Sequence, residues 1–153
     1  MFLRAIAASA VFAIYAGAAI ASDAPIPPTP EPVSLVSVSP AGAEVYFISP
    51  TDGDTVEGTF TVRFGLKGMG VAPAGADLPK TGHHHLLIDQ TGELNRSLPL
   101  PMTEQILHFG GGQTETTISL TPGKHTLQLV LGNYLHIPHD PAVVSNVITV
   151  TVK

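Results

Sequence analysis

Short segments in which apolar and polar residues alternate with a period of two constrain the fold of this chain more than any other feature. Turns rich in glycine and proline separate these segments, and no stretch shows a helical period of useful length. Six segments predict strands, at about 43–48, 60–66, 83–89, 114–120, 125–131 and 143–152. Several short strands joined by such turns are typical of an all-β protein, and we predict an immunoglobulin-like antiparallel β-sandwich.

The N-terminal residues 1–21 have the pattern of a secretory signal peptide. Arg4 gives a positive start, residues 5–18 form an apolar run, and 19–21 provide an A-x-A cleavage signal. Residues 22–42 contain six prolines and predict a Pro-rich linker, which leaves residues 43–153 for the sandwich domain. We therefore expect a periplasmic or secreted protein with no membrane span after signal cleavage, and a signal kept as an anchor is the alternative.

Charge and cysteine content exclude several function classes. The chain has 7 basic and 12 acidic residues, and removal of the signal takes away one base, so the mature charge is about −6. An acidic chain with no basic cluster does not favour nucleic acid. The absence of cysteine excludes disulfides, thiolate metal sites, a cysteine nucleophile and the usual blue-copper centre.

Three consecutive histidines begin the third predicted strand, which runs Gly-His-His-His-Leu-Leu-Ile-Asp over 82–89. Successive side chains of a strand point to opposite faces, so His83 and His85 share one face while His84 shares the other with Leu86 and Ile88. Two imidazoles at this spacing can bind one metal ion. His84, on the apolar face, is the one expected to have a structural role.

The remaining histidines also lie near predicted strand ends, where the chain segments of a sandwich gather. They suggest a transition-metal site, and a site made only of imidazoles suits zinc or copper. A carboxylate from Asp89, Glu115 or Asp140 would be an added ligand, and Met69 or Met102 would favour Cu(I). The predicted metal ligands are His83, His85, His108, His125 and His136.

Two other interpretations of the histidines remain open. In one, the protein is a non-catalytic accessory or adhesion module whose imidazoles are structural hydrogen-bonding groups. In the other, it is a metal-dependent enzyme, but the chain has no G-x-S-x-G, H-E-x-x-H or phosphate-binding glycine motif. The sequence thus favours a binding protein over an enzyme and names no catalytic residue.

Four ordered blocks resemble an uncharacterised bacterial family catalogued as domain of unknown function 4399. The blocks are Gly-His-His-His-Leu-Leu-Ile-Asp at 82–89, His-Phe-Gly-Gly-Gly-Gln-Thr-Glu at 108–115, Pro-Gly-Lys-His-Thr-Leu-Gln-Leu at 122–129 and His-Ile-Pro-His-Asp-Pro at 136–141. The resemblance covers roughly residues 60 to 152 and implies an exported bacterial domain without an established activity. Residues 49–56 also look like the first hairpin of bacterial immunoglobulin-like modules and periplasmic copper-resistance proteins, but the N-terminal His and the Met-rich loops of the latter are missing here.

Overall fold

A computed structural model describes residues 34–90 and 92–153. The predicted signal peptide and linker residues 22–33 lie outside these ranges. The described part contains strands and connecting segments but no helix, and so none that could cross a membrane. The strands are β1 (Glu44–Ser49), β2 (Thr55–Val56), β3 (Thr59–Lys67), β4 (Gly70–Val71), β5 (Thr81–Ile88), β6 (Ile106–His108), β7 (Glu115–Ser119), β8 (Gly123–Gly132) and β9 (Ile148–Val152).

The strands form two sheets, which confirms the predicted all-β sandwich. One sheet has the order β1-β3-β7, and the other has the order β2-β9-β8-β5-β4 with β6 also paired to β5. The long pairs are antiparallel, while β2 with β9 and β4 with β5 form short parallel pairs. The two parallel pairs depart from the purely antiparallel sheets that we predicted. The immunoglobulin-like assignment stays a prediction.

The main apolar core is built by the side chains that alternate inward along the strands. Leu86 and Ile88 of β5 join Leu127, Leu129 and Leu131 of β8 in this core. They pack with residues of the other sheet, including Val45, Val62 and Phe64. Burial of these branched and aromatic side chains is the principal force that stabilises the fold.

The opposite face of the larger sheet is also covered. Leu87 of β5 and Val130 of β8 form a second apolar cluster with Leu100 and Ile106, and each of the four is at most 5% exposed. The covering chain comes from the connections after β5 and β8. All residues of β5 except Thr81 are therefore buried, on both faces of the sheet.

The final strand is shorter than predicted, since it begins at Ile148 rather than at 143. Ser145 bonds to Leu129 with its backbone N–H as donor and its hydroxyl as acceptor. A side chain thus replaces part of the backbone ladder and interrupts regular pairing. Hydrophobic alternation alone does not reveal that a side-chain hydrogen bond takes the place of a backbone one here, because the apolar residues at 143, 144 and 147 continue the pattern.

The core packing leads to a stability prediction. Leu129→Ala should lower the free energy of unfolding by about 2–5 kcal/mol, because Leu129 is fully buried between the sheets. Urea denaturation would measure the loss, with Val147→Ala as the control because Val147 is 55% exposed. An equal loss in both variants would contradict the proposed position of the core.

Candidate metal centre

His83 and His85 lie on the outer face of β5, and both side chains are fully buried. Their neighbours across the β5–β8 ladder are Gly132 and Val130, respectively. His84 lies on the inner face, where its ring is 5.2 Å from the ring of Phe64. The prediction that His83 and His85 share one face of the strand, with His84 on the other, is therefore confirmed.

Two other histidines reach the same outer face from distant parts of the sequence. His108 ends β6 and stands directly opposite His85 in the antiparallel ladder, so the two side chains share a face. His136 belongs to the connection that follows β8 and has a positive φ of 67°. We call His83, His85, His108 and His136 the four-histidine cluster.

The rings of the four-histidine cluster stand around a common centre. The six distances between ring centroids range from 4.6 Å, between His108 and His136, to 6.0 Å, between His85 and His136. An ion bound tetrahedrally by four imidazoles, with bonds of about 2.0–2.1 Å, places the ring centres about 5 Å apart. The spacing of the ring centroids is therefore close to that in a tetrahedral four-histidine site.

The ring nitrogens are less closely gathered than the rings. One nitrogen from each of His83, His85 and His108 lies within 4.8 Å of the others. In a tetrahedral site the ligand nitrogens are about 3.4 Å apart, so each must move inward by about 1 Å or less. Small ring rotations about χ1 and χ2 supply such a movement. These three histidines can thus hold a metal ion. The nitrogens of His136 lie outside this group, but its ring centroid is 4.6–6.0 Å from those of the other three.

The buried nitrogens of this cluster lack hydrogen-bond partners. Both nitrogens of His83 and of His85, and Nε2 of His108, have none within the described part of the chain. An unsatisfied buried polar group costs about 1–3 kcal/mol, so several in one place call for an explanation. A bound ion would provide a partner for one nitrogen of each ring.

Two glycines, Gly132 and Gly110, have no side chain where the rings of His85 and His108 lie. A Cβ on Gly132 would lie 2.7 Å from Cε1 of His85, and a Cβ on Gly110 would collide with the ring of His108. Gly112 has a φ of +80°. In the triple-glycine run, Gly110 therefore allows the close approach of the His108 ring, and Gly112 adopts a positive φ. Glycine is the residue that accommodates both conditions. The role of Gly132 has no signal in the sequence, where it ends an ordinary apolar strand.

Burial keeps the imidazoles of His83, His85 and His108 in the neutral form that binds metals. Desolvation, reinforced by repulsion from His136 and His108, lowers the pKa of His83 to about 4. Desolvation and the charges of His83, His108 and His136 lower the pKa of His85 to about 3. Desolvation and repulsion from His136 also lower the pKa of His108. These three histidines thus offer neutral nitrogen donors at neutral pH.

His125, the fifth predicted ligand, does not join the cluster. Its Nδ1 lies 2.6 Å from Oδ2 of Asp89 and its Nε2 lies 2.9 Å from the carbonyl oxygen of Thr121. Both partners are acceptors, which suits an imidazolium, and the hydrogen bond to Asp89 raises the pKa of His125. The reason for the separation is the antiparallel ladder: His83 stands opposite Gly132, and His125 lies at the other end of β8.

The two remaining histidines, His84 and His139, are also buried. His84 packs beside Phe64, and burial lowers its pKa to about 4. His139, which is 3% exposed, directs its two ring nitrogens to the carbonyl oxygens of Leu131 and Thr81.

The other candidate ligands considered from the sequence also lie elsewhere. Asp89 bonds His125, and Glu115 pairs with Arg63 on the surface at 3.1 Å. Met69 packs against the main core, and Met102 is 72% exposed. Among the described residues, the one group suited to a metal consists of imidazoles alone, His83, His85 and His108, without a carboxylate.

The fold and the site describe a β-sandwich with a buried histidine cluster on the outer face of one sheet. The family model described as Domain of unknown function (DUF4399) matches residues 62–153, which include all seven histidines. The chain belongs to this family, as the four sequence blocks indicated. No curated protein and no solved structure matches the chain.

The lowered imidazole pKa values predict how the metal-free protein responds to acid. Unfolded imidazoles have a pKa near 6.5, so below that pH the unfolded chain binds more protons than the folded one. Stability should therefore fall as pH drops from about 6.5 to 4, with a slope of up to about 1.4 kcal/mol per pH unit for each such imidazole. Urea denaturation after chelator treatment would measure the slope, and His83→Gln should reduce it. A stability that does not vary over this range would contradict the lowered pKa values of His83 and His85.

The space at Gly132 predicts an effect on metal affinity. Gly132→Ala should displace the ring of His85 and weaken binding of Zn(II) by about tenfold or more, as is usual when the support of a metal ligand changes. Competition with a chromophoric chelator would measure the affinity. Gly58→Ala is the matched control, because a Cβ there meets nothing closer than 3.8 Å. Equal affinities for both variants would count against His85 as a ligand.

Proposed function

We propose that this protein is an exported, periplasmic or secreted domain that binds one transition-metal ion, zinc or copper, through His83, His85, His108 and His136. The observation that carries the proposal is the distance between the four ring centroids, 4.6–6.0 Å, which fits a tetrahedral site. The predicted signal peptide supports the location.

The donor set supports a borderline transition metal. Magnesium and calcium prefer oxygen ligands, whereas neutral imidazole suits zinc and copper. The strand provides a rigid base, because His83 and His85 are fully buried and both pair with β8, while His85 also pairs with β6. His108 and His136 are only partly buried and form the solvent side of the site, through which an ion enters.

Four protein ligands would close the coordination sphere of the ion. Catalytic zinc sites keep one position open for water, whereas structural sites are filled by four protein ligands. The four-histidine cluster therefore supports binding or stabilisation rather than hydrolysis. A bound ion would join β5, β6 and the segment after β8.

Isothermal titration of Zn(II) and of Cu(II) into the chelator-treated mature protein tests the proposal. We expect one ion per chain and a rise in melting temperature, because a ligand that binds only the folded state stabilises it. His85→Ala should abolish tight uptake. His136→Asn should weaken it while the positive φ is kept, since Asn tolerates this conformation.

His125→Gln is the control for these variants, because it removes an imidazole that lies outside the cluster. It should leave the affinity unchanged. If neither ion binds at micromolar concentration and the melting temperature does not respond to metal, the proposal fails and the module with structural histidines becomes the better explanation. A loss of affinity in His125→Gln equal to that in His136→Asn would also overturn the assignment of ligands.

A further inference from the structure

The segment 35–39, which we call the N-terminal strap, runs beside the connection that carries His136. Ser39 donates its backbone N–H to the carbonyl oxygen of Asp140, and Asp140 donates its own to that of Ser37, both at 3.0 Å. The hydroxyl of Ser39 donates to the carbonyl oxygen of Pro141 at 2.7 Å. These bonds attach a part of the predicted linker to the segment that provides one of the four imidazoles.

Residues 133–137, which we call the His136 loop, are joined to the strap through the buried side chain of Asn133, which is 1% exposed. Its Oδ1 accepts the backbone N–H groups of Leu135 and Ile137, at 2.9 and 3.1 Å. Its Nδ2 donates to the carbonyl oxygen of Leu35 at 2.8 Å and to the hydroxyl of Ser37 at 3.1 Å. The oxygen of the amide thus shapes the loop, while the nitrogen attaches the strap.

His136 depends on this loop for an unfavourable backbone conformation. A positive φ is uncommon for a residue with a side chain and persists where surrounding bonds hold it. The N–H of His136 donates to the carbonyl oxygen of Asn133 at 2.8 Å, and its own carbonyl oxygen accepts the N–H of Leu100 at 2.9 Å. Asn133 therefore stands between the strap and the ring of His136 by direct bonds on both sides.

We propose that Asn133 is a positioning residue of the metal site and that docking of the N-terminal strap is coupled to metal binding by His136. The inference rests on the proposed metal-binding function and deepens it. Without the strap, the nitrogen of the buried amide has no partner, and the loop loses the contact that orients its central asparagine. Coupling of this kind is reciprocal, so a bound ion also stabilises the docked strap.

Asn133→Asp tests the role of the amide nitrogen separately from that of the amide oxygen. The carboxylate keeps an acceptor for the N–H groups of Leu135 and Ile137 but replaces the donor with an oxygen that faces the carbonyl oxygen of Leu35. We expect the affinity for Zn(II) to fall about 10- to 100-fold, the usual effect of changing a group that supports a ligand. The visible spectrum of bound Co(II) should shift as the imidazole of His136 is lost.

Gln128→Glu is the matched control, because it makes the same change from amide to carboxylate on β8. It removes the bond from Nε2 of Gln128 to the carbonyl oxygen of Ser145, which involves neither the strap nor the His136 loop. Zn(II) affinity and the Co(II) spectrum should not change. If Asn133→Asp does not fold, Ser39→Ala takes its place, since it removes a strap bond and should also weaken Zn(II) binding.

Hydrogen exchange of the unmodified full chain tests the reverse direction. Addition of Zn(II) should slow exchange of the Ser39 and Asp140 amides more than that of the Gly53 amide, which bonds the carbonyl oxygen of Thr149 outside the strap. If the wild type binds Zn(II) but Asn133→Asp or Ser39→Ala binds it equally well and the strap amides do not respond, the inference is overturned while metal binding stands. If the wild type binds no metal, the proposed function fails and the coupling falls with it.

Discussion

The antiparallel pairing of β5 with β8 determines which histidines can meet. In this ladder His83 stands opposite Gly132 and His85 opposite Val130, so the start of β5 lies beside the end of β8. His136 follows that end and folds back over the outer face. His125 begins the same strand and is therefore placed with Asp89 at the other end of β5.

The outer face of the larger sheet combines two environments that are normally kept apart. An apolar cluster around Leu87 and Val130 continues along β5 into fully buried imidazoles. Burial keeps these rings uncharged, because an imidazolium cannot be solvated there and would repel its neighbours. The same desolvation that makes the unpartnered nitrogens costly in the metal-free protein makes them available as ligands.

The sequence predicted the fold class and named the three histidines whose nitrogens lie close enough together to hold a metal. A period of two gave the sides of His83, His84 and His85, since strand geometry leaves no other choice. Strand pairing was not predictable, because the alternation of apolar residues does not reveal which strand lies beside which. His125 was included among the predicted ligands because the pairing of β5 with β8, which places it at the other end of the sheet, was not known from the sequence. The support of the rings by Gly110, Gly132 and Asn133 has no local signal either, since close approach and shared hydrogen bonds appear only after distant segments are brought together.

By itself the sequence determined that this chain forms strands, that His83 and His85 point to one side of theirs, and that no thiolate can take part in a site. These properties depend on residue type and on neighbours along the chain. Only the tertiary structure decided that the rings of His108 and His136 lie beside those of His83 and His85, that His125 pairs with Asp89, and that residues 35–39 bond to the loop of His136. Those choices depend on sheet register and on contacts between residues up to about a hundred positions apart, which local periodicity cannot encode.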